Sequence, residues 1–275
     1  MRKMVFGRTD EIVPVIGFGT WKIGGGWYSP DNSHDKEAIE AMRLAIELGS
    51  TFVDTAEAYG GGHTEELVGK ALSKVENSEV FVATKVSPEH LHYDDVIKSC
   101  KASLNRLGVK QIDLYQVHWP NPSIPISETM RAFEYLVDKG FIRYIGVSNF
   151  SVELFEEAQS SLHKYEIQSN QVSYSFFDRK PERDGVLDYC KRNKVTLIAY
   201  SPLGKGKVSS DDPSLKKVDE LAKKYEKTRA QILLSWLVHK GNVLPIPKAI
   251  KPEHIRENCE AGDLVLSESD YSLLD

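Results

Sequence analysis

Short apolar or β-branched runs alternate along this chain with longer stretches in which apolar residues recur every three or four positions. The short runs predict strands at Ile16–Gly19, Thr51–Asp54, Val80–Thr84, Ile112–Val117, Arg143–Val147, Glu166–Asn170, Val195–Tyr200 and Val243–Pro245. Stretches such as Lys36–Gly49, His63–Val75, Tyr93–Gly108 and Ser127–Gly140 carry the period of an amphipathic helix, and several close on a glycine stop. Strand starts recur roughly every 30 residues, the length of one strand–helix unit, which implies a parallel sheet. Eight such units close a barrel. The last gap is longer and holds two helical stretches, Pro213–Lys227 and Thr228–Gly241, so one helix there is supernumerary. Upstream, Met4–Val15 reads as a hairpin turning at Gly7–Asp10, suited to plug the barrel bottom. The expectation is an α/β fold, a (β/α)₈ TIM barrel in one domain over residues 1–275, with an N-terminal β-hairpin and an extra helix before the last strand.

An open doubly wound sheet would show the same alternation. Its dinucleotide fingerprint is missing, because Lys22 stands where a third glycine should follow Gly17 and Gly19, and no GxxxxGK[ST] phosphate loop occurs. With 41% hydrophobic and 27% charged residues, the 275-residue chain can bury a large core. A net charge of −5 argues against a nucleic-acid or anionic-membrane surface. Cys100, Cys190 and Cys259 are scattered, as free thiols in a reducing compartment would be. No secretory signal or membrane-length apolar run is visible, so the expected location is the cytoplasm. The expected partner is a small molecule, and the expected state is a monomer, with oligomers left open.

Active sites of such barrels lie at the carboxyl ends of the strands. There the sequence sets Asp54 and then Tyr59 after the second strand, Lys85 after the third and His118 after the fourth. Singly, each has a plain structural explanation: an ion pair for Asp54 and Lys85, a partly buried histidine, a loop aromatic. Together on neighbouring strand ends they make chemical sense. A free tyrosine titrates at about pH 10; a nearby lysine cation would favour tyrosinate and lower that value, with Asp54 holding the lysine charged. Tyr59 could then protonate a carbonyl oxygen while His118 hydrogen-bonds the same oxygen. The hydride would have to come from a cofactor. His90 and His92 lack the companions of a metal site, and no metal is expected.

The segments DTAEAYG, VATKV, VHWP, GVSNF, NQVSYS, AYSPLG and PIPKAIKPEHIRENC, in order over residues 54–259, resemble the signatures of the aldo-keto reductase family, and GFGTW at 17–21 is similar to its first strand. The resemblance covers essentially the whole chain. It implies NAD(P)H-dependent reduction of aldehydes and ketones, with Tyr59 as general acid/base supported by Asp54, Lys85 and His118. It also implies a cofactor track. Gly19, Thr20 and Trp21 border the cofactor near Asp54, and Ser148, Asn149 and Gln171 hold the carboxamide. Tyr200 stacks on the nicotinamide, Ser201, Leu203 and Lys205 line the pyrophosphate, and Lys248, Ala249, His254, Glu257 and Asn258 hold the adenosine end. Ala249 and His254 depart from the serine and arginine that many members carry around the 2′-phosphate. Lys248 remains, so NADP(H) is the expected cofactor, with NAD(H) possible.

Trp21, Trp27 and Trp119, with His118, are candidates for the substrate wall. The connections after His118 and after the seventh strand are short, which suggests an open, permissive pocket. Two rival readings stay open: a barrel lyase or aldolase using Lys85 as a Schiff-base lysine, and a nicotinamide-binding regulatory subunit with little turnover.

Overall fold

The structure, a computed structural model, describes residues 1–75 and 80–275. An antiparallel hairpin, β1 (Lys3–Val5) and β2 (Ile12–Pro14), precedes eight parallel strands. These are β3 (Phe18–Gly19), β4 (Phe52–Asp54), β5 (Phe81–Val86), β6 (Ile112–Val117), β7 (Ile142–Ser148), β8 (Ile167–Ser173), β9 (Thr196–Tyr200) and β10 (Val243–Pro245). Each pairs with the next in chain order. The ring is closed by backbone hydrogen bonds from Gly17 N–H to the Pro245 carbonyl, 3.0 Å, and from Gly19 N–H to that of Pro247, 3.2 Å. Glycine is required at this seam, since a Cβ on Gly19 would stand 2.6 Å from the Ile246 carbonyl oxygen.

The helices are α1 (Asp35–Glu47), α2 (His63–Leu72), α3 (Tyr93–Leu107), α4 (Ile126–Asp138), α5 (Val152–Ser160), α6 (Lys180–Arg183), α7 (Val186–Arg192), α8 (Lys216–Tyr225), α9 (Arg229–His239), α10 (Pro252–Glu260) and α11 (Glu268–Ser272). The extra helix before the last strand is present, since α8 and α9 both precede β10. Thr228 and Gln231 fix the start of α9 with a reciprocal capping box. A further short helix, α6, stands between β8 and β9 beyond the one helix that connection needs.

Strand alternation sorts the core into two layers. Val53, Val82, Tyr115, Val117, Val147 and Leu197 face outward to the helices, while Phe52, Phe81, Ala83, Leu114, Ile198 and Leu244 fill the barrel. The hairpin closes the floor as expected. Phe6, fully buried, packs its ring 5.0 Å from that of Phe81 and 6.0 Å from that of Phe52.

Several predicted boundaries move. The first barrel strand, expected over Ile16–Gly19, covers only Phe18–Gly19. Lys85 and Gln171 were expected just after their strands but lie inside β5 and β8. Their side chains therefore enter the barrel rather than its rim.

Candidate active site

Above the apolar floor, the same inward positions turn polar: Asp54 on β4, Lys85 on β5, Gln116 on β6 and Gln171 on β8, all fully buried. A charge in this setting must be paired and hydrogen-bonded. Lys85 Nζ donates to Asp54 Oδ1 at 2.6 Å, to the Thr55 carbonyl at 2.8 Å and to Tyr59 Oη at 3.5 Å. Three acceptors match the three N–H bonds of an ammonium. The second oxygen of Asp54 accepts from Gln171 Nε2 at 2.8 Å and from Gln116 Nε2 at 3.3 Å. Burial pulls the Lys85 pKa down, and Asp54 opposes that pull.

Tyr59 follows β4 on a tight turn through Gly60–Gly62 that launches α2. Its loop is clamped by Glu57, which accepts from Ser87 N–H at 2.7 Å. Here the sequence expectation is corrected. Burial, and then the charge of Asp54, hold the Tyr59 phenol well above its ordinary value rather than below it. The physical reason is that burial disfavours the charged phenolate and the Asp54 carboxylate repels it.

His118, at the end of β6, is 5% exposed and stands edge-on to Tyr59, ring centroids 5.6 Å apart. Burial and the nearby Lys85 charge push its pKa down to about 2, so the ring is neutral. Its Nδ1 is buried without a partner.

Trp21 and Trp27 complete an aromatic wall. Trp21 lies 4.9 Å from the Tyr59 ring, and Trp27 lies 4.8 Å from Trp21 and 5.1 Å from His118. The Trp27 loop is fastened to the catalytic turn by Tyr28 N–H to Ala58 O, 2.9 Å, and Gly60 N–H to Gly26 O, 2.7 Å. Trp119 makes none of these ring contacts among the described residues and is 44% exposed.

Beside this cluster, Thr20 donates to the Asp54 carbonyl at 2.9 Å, and Asn149 Nδ2 donates to the His118 carbonyl at 3.1 Å. Ser148 Oγ donates to the backbone carbonyl of Gln171 at 2.9 Å, and Tyr200 Oη donates to Asn149 Oδ1 at 3.0 Å. The cap of α5 is Ser151, accepting from Leu154 N–H, which leaves Ser148 and Asn149 free of that duty. After β9, Ser201 and Lys205 adopt left-handed backbone around Leu203. After β10, Lys248 is exposed and Ala249 buried. On α10, His254 pairs with Glu257 at 3.3 Å while Asn258 is buried. Lys22, not expected from the sequence to lie near Lys248, stands close enough for its charge, after desolvation, to lower the Lys248 pKa. Gln116 was also missed.

Residues 15–275 match the Aldo/keto reductase family. The chain belongs to that family. Among its relatives is methylglyoxal reductase YeaE of Escherichia coli (strain K12), 34% identical over 275 residues that span 100% of this chain and 94% of that protein. Another is glyoxal reductase of Bacillus subtilis (strain 168), 34% identical, covering 96% of this chain and 88% of that one. Among solved structures, the thermostable aldo-keto reductase Tm1743, in complex with the inhibitor epalrestat, superposes with a TM-score of 0.96 at 47% identity, over 100% of this chain and 99% of that one. An aldo-keto reductase from Klebsiella pneumoniae in complex with NADPH gives a TM-score of 0.89 at 34% identity, over 100% and 95% of the two chains. The family places this chain among the oxidoreductases. No described helix is long and apolar enough to cross a membrane, and no described cluster of His, Cys, Asp or Glu could hold a metal ion.

Proposed function

We propose that this chain is an NADP(H)-dependent reductase of small aldehydes and ketones, with Tyr59 as the proton donor. One observation carries the reading. Lys85 donates to Tyr59 Oη from within a fully buried pair with Asp54, so the phenol's own O–H is left to point toward the mouth beside His118.

The residues fit a nicotinamide. Gln171 turns its Nε2 inward to Asp54, leaving its carbonyl oxygen for an incoming amide, with Ser148 and Asn149 alongside and the Tyr200 ring at the strand end. The buried, unpartnered Nδ1 of His118 is a further sign that a ligand completes this pocket. When bound, the nicotinamide supplies the hydride, which no side chain can. Tyr59 releases its proton to the carbonyl oxygen as that oxygen gains charge. His118, held neutral, donates an N–H to the same oxygen without transferring its proton. Lys85, fixed by Asp54, stabilises the tyrosinate left behind. A Schiff base at Lys85 is disfavoured, because Nζ is enclosed by three acceptors and has no exposed surface.

NADPH-bound and glyoxal-reducing relatives support the cofactor and the substrate class. The wall of Trp21 and Trp27 suits small or flat carbonyl compounds. Lys248, crowded by Lys22, would gain from the 2′-phosphate of NADP(H). The test is cofactor oxidation across a panel of α-oxoaldehydes, aromatic aldehydes and steroid ketones, with wild type and Lys248→Met. Small aldehydes should be reduced fastest, and the variant should raise the NADPH KM about tenfold, one charge-assisted bond, while leaving NADH unchanged. A steroid preference, or equal losses for both cofactors, would contradict this reading.

A further inference from the structure

Gln116 is a fully buried amide on the inner face of β6, in line with Leu114, where the rest of the strand is apolar apart from Asp113 and the Tyr115 hydroxyl. A buried amide is costly unless its hydrogen bonds are met, and Leu would satisfy the barrel equally well. The neighbouring strand makes room for it: Gly146 is its register partner on β7, and a Cβ there would lie 2.8 Å from Gln116 Cγ. Its side-chain partners are Asp54 Oδ2, to which its Nε2 donates at 3.3 Å, and Gln171 Nε2, which donates to its Oε1 at 3.4 Å.

These bonds fix one arrangement. An ionised carboxylate only accepts, so both glutamines must turn Nε2 toward Asp54. Gln116 Oε1 then takes the second N–H of Gln171, and the Gln171 side-chain Oε1 is turned away from Asp54. We propose that Gln116 is a positioning residue that locks the amide of Gln171 in the orientation that accepts from the nicotinamide carboxamide. The inference rests on the reading of Gln171 as a carboxamide contact. Through Gln116, the tetrad carboxylate and the cofactor clamp become one hydrogen-bonded unit.

The test is binding, read by fluorescence titration, of NADPH and of adenosine 2′,5′-bisphosphate, which lacks nicotinamide. Wild type is compared with Gln116→Met, Gln116→Glu and Gln171→Leu, each checked for an intact melting transition. Gln116→Met should weaken NADPH about three- to tenfold, the loss of one neutral hydrogen bond, and leave the bisphosphate unchanged. Gln116→Glu adds a readout that a packing role would not move. The charged or titratable groups around it are Asp54, Lys85, Tyr59 and His118; among the described residues β7 and β8 present Gly146, Ser148, Ser169 and Gln171, with Tyr144 one inward position lower on β7. Protonated, the new carboxyl can donate to Asp54 and accept from Gln171 as the amide did; ionised, it repels Asp54. Its NADPH affinity relative to wild type should therefore match at low pH and fall as pH rises. Wild-type NADPH affinity in both Gln116 variants at every pH, or equal losses of NADPH and bisphosphate, would overturn the proposal. If Gln171→Leu alone leaves NADPH unchanged, the carboxamide reading fails instead, and the proposal with it.

Discussion

Lys85 directs its three donors at three acceptors, and two of them, Asp54 Oδ1 and Tyr59 Oη, belong to the candidate chemistry. That geometry decides how Tyr59 works. With burial and Asp54 raising its pKa, the phenol holds its proton more firmly than a free tyrosine, and under the proposed mechanism it enters reduction as an acid. The reverse reaction needs the phenolate, which appears only as pH climbs toward the raised value. His118 takes up a proton only near pH 2, so it has no titration to contribute between about pH 5.5 and 8. Chemistry-limited kcat for reduction should accordingly be flat over that interval, while alcohol oxidation should rise steadily into the alkaline range. A reduction profile with an inflection near about pH 6.5 that vanishes in His118→Gln would show that the ring titrates, against this account.

At the level of elements, β4, β5 and β6 each carry an apolar foot and a polar head on the same inward face, as in Phe52 and Asp54, Phe81 and Lys85, Leu114 and Gln116. The foot is sealed by the hairpin. Replacing Phe6 by Ala would leave a cavity among Phe52, Phe81 and Tyr144, at a cost of about 3–5 kcal/mol. Urea unfolding should register that loss, and a change below about 1 kcal/mol would mean that the hairpin does not close the core. Much of this was legible in the sequence. The alternation of short apolar runs and amphipathic helices announced the barrel, and polar residues breaking those runs announced Asp54, Lys85 and His118. Gln116 gave the same signal, a polar residue at an inward position two after Leu114, yet it lies inside its run rather than at the end and was passed over. The engagement of Trp27 with His118 was not legible, because a glycine-rich loop has no period; its path is set by backbone bonds to Ala58 and Gly60 that no pattern records. Nor was the direction of the Tyr59 shift, which depends on how deeply the phenol is buried and on its closeness to the Asp54 carboxylate.

Over the whole molecule, residues from more than 100 positions apart meet because eight strands converge on one rim: Gln171 reaches Asp54 across 117 positions of chain. The floor is apolar and aromatic, the layer above it is a hydrogen-bonded polar network, and the mouth is walled by Trp21 and Trp27. Under the proposed function, this burial keeps Tyr59 and Lys85 out of water, and the cofactor lies over the ends of β7 to β10. The central claim is that Tyr59, and no other group, supplies the proton. Tyr59→Phe removes that one hydroxyl and leaves the ring contacts with Trp21 and His118 in place. The decisive measurement is single-turnover reduction of methylglyoxal by NADPH, alongside the cofactor Kd from fluorescence titration. The account predicts an unchanged Kd and a rate lowered by about 10²- to 10⁴-fold, the usual worth of a general acid. A variant that binds NADPH normally and keeps more than half of the wild-type rate would contradict it.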